Sequence, residues 1–218
     1  MSILDIRRVI EREIFDYQAL LDALKGYAHP RDKITDLIRK KLIVRIKKGL
    51  YIFGDDYRRH LYSRELLANL IYGPSYISLE YALHYHGITP ERVEALTSVT
   101  TGRSRRFLTP VGLFTYRIIP SRAYQLGMTR VEAGNKQSFL IAGPDKALVD
   151  KIVADRGIAI RTQTILYEYL VHDLRIDPVA LTEIDPERIA EFAEKYRSRK
   201  LQLLRGLILR LRRTRKEN

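Results

Sequence analysis

Near the start of the chain the apolar positions recur at helical spacing and then switch to strand-like alternation. Ile6, Val9 and Ile10, with Glu13 in step, share one side of a short amphipathic helix over Asp5 to Glu13. Asp16 is placed to cap a second helix, Tyr17 to Lys25, which turns Leu20, Leu21 and Leu24 inward and stops at Gly26. Pro30 opens a third, because proline suits the first helical position. Ile34, Leu37 and Ile38 form its apolar stripe, closed by Leu42, and Asp32, Thr35, Asp36, Arg39 and Lys40 lie opposite. Ile43 to Phe53 then reads as a basic hairpin with Lys47-Lys48-Gly49 at the turn, where glycine supplies the positive φ such turns need.

The middle of the chain mixes both periods. Asp55-Asp56 marks a linker, Leu61 to Tyr72 is helical up to Gly73-Pro74, and Ser78 can cap a helix from Leu79 to His86 ended by Gly87. Strand-like runs follow at Ala95 to Thr100, Phe107 to Ile119 (interrupted by Pro110 and Gly112), Thr129 to Ala133 and Gln137 to Ala142, with Gly134-Asn135 as a turn. Pro144 opens a helix to Ala154. Thr162 to Leu174 is helical with Ile165, Leu166, Tyr169 and Leu170 inward, and Asp185-Pro186 starts a helix whose period runs on through Leu201, Leu204, Leu207 and Ile208 to Leu211. The pattern predicts an α+β protein. Residues 1–54 form an N-terminal winged helix-turn-helix, and residues 55–218 a larger mixed α/β C-terminal domain ending in a basic helix.

Charge sharpens this picture. The 218 residues hold 39 Lys+Arg against 26 Asp+Glu, a net charge of +13, which attracts polyanions. Residues 1–54 carry 12 basic and 7 acidic residues (net +5), residues 55–194 carry 17 and 18 (net −1), and residues 195–218 carry 10 and 1 (net +9). The basic excess therefore flanks a neutral middle. The absence of cysteine removes disulfides and thiol chemistry and suits the cytoplasm. Met1 to Arg8 has no apolar core after its charges, so no signal peptide is expected. No apolar run approaches the roughly 18 residues that span a bilayer.

A helix that enters the major groove needs one buried stripe and a free polar side. Arg39 and Thr35 are placed to read bases, and Asp32 or Asp36 to accept from cytosine N4. His29, Arg31 and Lys40 are placed for phosphates, and Lys33 completes the set. On the hairpin, Arg45, Lys47 and Lys48 can grip a flanking phosphate or enter the minor groove. Without a partner, the same residues make an ordinary surface helix and a lysine-guarded hairpin edge. A third basic element, Thr100-Thr101-Gly102-Arg103-Ser104-Arg105-Arg106, sets Arg103, Arg105 and Arg106 on a glycine turn that can hold nucleic acid or an acidic protein surface, or can be a solvated hairpin tip. The fourth is the last helix, with Arg205, Arg210, Arg212, Arg213, Arg215 and Lys216 beside an apolar side that docks on the protein. Such a helix can also lie on a membrane, but it lacks Trp and Phe, so no membrane partner is expected.

Catalytic signals are sparse. Glu80 and His84 stand at i, i+4 and can share a metal, but no third ligand is evident and His86 points elsewhere. Tyr76, Tyr81 and Tyr85 read as a packed aromatic cluster around them, and Asp145-Lys146 as a charge pair at a helix start. No phosphate-binding, dinucleotide, serine-hydrolase or zinc-protease motif occurs. The expectation is a protein that is not an enzyme, with no catalytic residue, metal or cofactor.

One ordered set of motifs resembles a known family. Lys48-Gly49-Leu50-Tyr51 closes the winged helix; Tyr76-Ile77-Ser78-Leu79-Glu80-Tyr81-Ala82-Leu83, the Thr97-to-Arg106 strand and turn, and Pro144-Asp145-Lys146-Ala147-Leu148-Val149-Asp150 follow. Together they resemble the AbiEi antitoxins of type IV toxin–antitoxin systems, which include phage abortive-infection proteins, across most of the chain. The resemblance implies a transcriptional autorepressor that binds inverted repeats in double-stranded DNA. It also implies a C-terminal domain needed for antitoxicity and a cognate nucleotidyltransferase-like toxin, countered by functional antagonism rather than a stable complex. A stand-alone winged-helix regulator, and a basic protein- or RNA-binding module without operator specificity, remain alternatives.

Overall fold

The first helix, α1 (Ile3–Val9), begins where the Asp5 carboxylate accepts the backbone N–H of Ser2 at 2.6 Å. It lies earlier than Asp5 to Glu13. Ile6, Ile10 and Glu13 of the expected stripe are buried, but Val9 is 57% exposed and Arg7 is buried in addition. Glu13 explains the burial of Arg7. Its carboxylate takes the Arg7 guanidinium and also accepts the backbone N–H groups of Arg59 and His60 at 3.1 Å each. A buried cation is tolerated when it is paired and hydrogen-bonded; here the pair also pins α1 to the segment that follows residue 54. The computed structural model describes residues 2–135 and 137–217, so Met1, Lys136 and Asn218 lie outside it, as do the side chains of Lys216 and Glu217.

A strand not expected from the sequence, β1 (Ile14–Asp16), leads into α2 (Tyr17–Ala23), where the Asp16 carboxylate accepts the Ala19 N–H at 2.8 Å as a cap. α3 (Pro30–Arg39) starts at its proline, and β2 (Ile43–Lys47) and β3 (Leu50–Phe53) form the hairpin, with Gly49 at φ +86°. The antiparallel sheet runs β1-β3-β2. Its central strand β3 is buried on both faces. Phe15, Ile43, Tyr51 and Phe53 pack with Ile6, Leu20, Leu24, Ile34 and Leu37 into a small core. Ile14, Ile46, Leu50 and Ile52 join the larger core of the remaining chain. Residues 1–54 thus own one core and share a second.

The larger region holds α4 (Arg64–Ile71), β4 (Ser75–Ile77), α5 (Leu79–Tyr85), β5 (Leu96–Thr100), β6 (Arg105–Thr109), β7 (Gly112–Ile118), β8 (Met128–Glu132) and β9 (Ser138–Ala142). Five helices follow: α6 (Pro144–Ala154), α7 (Gln163–Glu168), α8 (Pro178–Glu183), α9 (Pro186–Tyr196) and α10 (Arg199–Glu217). The chain is therefore a mixed α/β protein with a helical N-terminal region, a larger sheet-containing region and a long C-terminal helix. The second sheet is ordered β6-β7-β5-β4-β9-β8, parallel at β5–β7 and β4–β9 and antiparallel elsewhere. The registers put Tyr116 and Ile77 on one face and Tyr76 on the other. On the first face, the Tyr116 hydroxyl donates to the Ala68 carbonyl of α4 at 2.7 Å; on the second, Tyr76 reaches Asp150 of α6.

Several expectations change here. The run Phe107 to Ile119 is two strands, because Pro110 cannot donate to a ladder and Gly112 turns at φ +125°. Ile165 is 36% exposed rather than inward. The last helical run breaks at Arg197, which adopts φ +50° and separates α9 from α10. Ser78 holds the N-cap position of α5 as expected, but its side chain makes no capping bond, because its hydroxyl donates to Asp150 at 2.7 Å.

Candidate nucleic-acid interface

α3 presents the arrangement that groove entry requires. Ile34 and Leu37 are buried in the small core, while His29, Arg31, Thr35, Arg39 and Lys40 are exposed on the other side. Lys33 is half-buried with its ammonium 5.3 Å from the Tyr27 ring centre. Charge on this side is partly compensated from within. Asp36 takes Arg39 at 2.6 Å and Lys40 at 2.9 Å, and these bonds, first from Lys40 and then from Arg39, hold its carboxyl below the usual 3.8. Asp36 is thus an intramolecular rival for the cations that would meet phosphate, and Thr35 is held to its own helix, donating to the Arg31 carbonyl at 3.1 Å.

The hairpin divides its three cations. Arg45 and Lys48 are exposed. Lys47 is not available as expected: its ammonium donates to the Ile71 carbonyl at the end of α4, and burial pulls its pKa down. The cause is a β-bulge. Arg45 faces Tyr51 but Lys47 faces Leu50, so Ile46 is the extra residue. Directly opposed residues share a face, and Leu50 points into the larger core. The bulge therefore re-aims Lys47 from solvent to that side.

The other basic elements also divide. Arg103, Arg105 and Arg106 are all exposed at the β6 edge of the large sheet. On α10, Arg210 and Arg213 are exposed, but Arg205 is tied to Glu187 at 2.7 Å. Arg212 is turned onto α8, donating to the carbonyls of Thr182 at 2.8 Å and Ile184 at 3.0 Å, which satisfies a helix end that would otherwise be short of donors. Arg212 is therefore a structural cap rather than a free polyanion contact. Arg215 joins it on Thr182 and Glu183; the Lys216 side chain lies outside the described part.

The motif Pro144 to Asp150 forms a buried polar cluster that the sequence did not disclose. Lys146 and Asp150 are both fully buried and paired at 2.9 Å across one turn of α6. Asp150 also accepts from Tyr76 at 3.1 Å, from Ser78 and from Tyr196, and Lys146 stands 4.4 Å from the Tyr196 ring centre. Burial pushes the Lys146 ammonium down and Asp150 works against it; burial likewise pushes the Tyr76 and Tyr196 hydroxyls far up. Asp145 and Lys146 are not partners of each other, since Asp145 takes Arg188 at 3.0 Å. With both charges fully buried, the cluster ties β4, α6 and α9 together.

Glu80 is likewise committed, to Lys151 at 2.9 Å, while His84 is exposed. Among the described residues no group of three His, Cys, Asp or Glu side chains is placed to hold a metal ion, and no helix is long and apolar enough to cross a membrane. The anticipated tyrosine cluster is dispersed: Tyr76 is buried on Asp150, Tyr81 bonds Glu65, and Tyr85 is 45% exposed. In comparisons with known proteins, no protein-family model matches the chain and no curated protein matches its sequence.

Proposed function

We propose that this chain is a DNA-binding transcriptional regulator of the winged helix-turn-helix type, with α3 entering the major groove. The observation that carries the reading is the solvent-facing polar side of α3, standing on a stripe whose Ile34 and Leu37 are buried. Arg39 and Thr35 are the base readers, and His29, Arg31 and Lys40 the phosphate contacts. Arg45 and Lys48 supply the flanking grip from the hairpin. Repression follows from occupancy of promoter DNA and requires no catalysis. The resemblance to AbiEi antitoxins extends the proposal: autorepression at inverted repeats, and antagonism of a nucleotidyltransferase-like toxin in the cytoplasm.

The test is affinity for a selected duplex measured against salt. Counterion release predicts a steep log–log fall of about 0.9 per phosphate contact; a flat response overturns the reading. Arg39→Ala is expected to relax sequence preference, whereas Lys48→Ala weakens every duplex alike. If both give the same uniform loss, α3 is not the reading element.

A further inference from the structure

Between Glu94 and Glu132 the chain contains no Asp or Glu but six arginines. Two are engaged: Arg122 donates to the Lys195 carbonyl, and Arg130 lies 3.3 Å from Glu132. The other four, Arg103, Arg105, Arg106 and Arg117, are exposed, and their guanidinium groups have no partner among the described residues. They gather at one edge of the large sheet. β6 pairs with β7 alone, so its outer backbone groups face no strand. Register places Arg106, Leu108, Leu113, Thr115 and Arg117 on one face of the β6–β7 hairpin, and Arg105 and Phe107 on the other. Phe107 is anchored against Tyr72 and Tyr116, with ring centres 5.9 and 5.7 Å away. Leu108, near the turn end of this edge, is 85% exposed.

Charged residues commonly guard a sheet edge against pairing. Two features here go beyond a guard. The charge has a single sign over an acid-free stretch, and a large apolar side chain stands bare beside the arginines, two residues beyond Arg106 on the same face. We propose that β6 is the docking edge for an extended acidic segment of a partner protein. The segment adds as a seventh strand, with carboxylates against Arg105 and Arg106 and an apolar side chain beside Leu108. A second copy of this chain fits the edge poorly, because it brings four more arginines to it. Nucleic acid would engage the arginines but leave the backbone edge and Leu108 unused. The proposal is independent of the α3 reading, since neither its residues nor its test involves duplex DNA.

The experiment uses the isotope-labelled full chain, titrated with a synthetic decapeptide of alternating Glu-Glu and Val-Val pairs, which offers both residue types to each face of β6, its Lys/Val counterpart and a thymidine 12-mer. The Glu/Val peptide is expected to bind, to slow amide exchange within β6, and to lose about tenfold in affinity in Arg105→Ala/Arg106→Ala, at the scale of two partly exposed carboxylate–guanidinium pairs. Leu108→Lys separates strand addition from charge alone. It is expected to weaken the peptide, whereas a purely electrostatic surface would bind it more tightly. The proposal is overturned if Leu108→Lys strengthens binding, if β6 amides are unaffected or neither peptide binds, if the oligonucleotide binds this edge in preference to the peptide, or if the chain self-associates through β6.

Discussion

Two cation-bearing hairpins of the molecule, β2–β3 and β6–β7, differ in where their cations point. β2–β3 is packed on both faces, and a bulge turns Lys47 back onto the Ile71 carbonyl. β6–β7 is covered on one face only near Phe114 and Tyr116, and its arginines all stand outward. In sequence both read as basic turns between apolar alternations. The difference teaches that a lysine or arginine on a hairpin has a direction set by register, and one inserted residue reverses it. Inward cations then engage the protein's own carbonyls, and outward ones stand open to solvent.

The largest expected break of this comparison lies at the extreme inward cation. Lys146→Met leaves Asp150 charged and fully buried, with only hydroxyl donors around it. Losing one partner of a buried pair costs about 3–5 kcal/mol. Urea unfolding with an unchanged slope is expected to show that loss, and Lys146→Met/Asp150→Leu to recover part of it. A loss below about 1 kcal/mol would mean that the cluster is wet or uncharged.

Next come the hairpins themselves. Ile52→Ala, on the face of β3 that joins the larger core, is expected to cost about 2–5 kcal/mol, and Leu108→Ala less than about 0.5. Equal costs would erase the contrast between the two hairpins. Lys47→Met against Lys48→Met sharpens it further: roughly 0.5–1.5 kcal/mol of stability for the first, which loses its bond to Ile71, and no measurable change for the second. For binding the order reverses, with only Lys48→Met weakening duplex DNA.

These contrasts also mark what periodicity can deliver. α2, α3, the β2–β3 hairpin, α5 and α6 were legible because Asp16, Pro30, Gly49, Gly87 and Pro144 punctuate clear apolar patterns. β1 and β4 were not, since three residues carry no period. Residue type alone does not disclose that Arg7 and Lys146 are buried; Glu13 pairs with the first, and Asp150 with the tyrosines of β4 and α9 surrounds the second. The polar side of α3 was readable from helical spacing alone. The edge at β6 was not, because a summed net charge of −1 over residues 55–194 concealed the acid-free stretch from residue 95 to 131.

The smallest expected effect tests how α3 regulates its own charge. Asp36 engages Arg39 and Lys40 together, so its carboxylate both repels phosphate and occupies two of its ligands. Its pKa is lowered by those bonds. A depressed carboxylate contributes stability that is complete above its unfolded value and fades as pH falls through the folded one. The window therefore lies below the ordinary 3.8, and near neutral pH the two cations stay engaged. Asp36→Asn removes the negative charge at pH 7 without removing the helix. Affinity for a duplex of arbitrary sequence is expected to rise about two- to fivefold, the range of one exposed ion pair, with a steeper salt dependence as Arg39 and Lys40 turn to phosphate. Discrimination between duplexes is expected to fall, because Arg39 loses the partner that fixes its direction. An affinity that stays level or drops would place the DNA-facing side of α3 away from Asp36, and Arg39 with it.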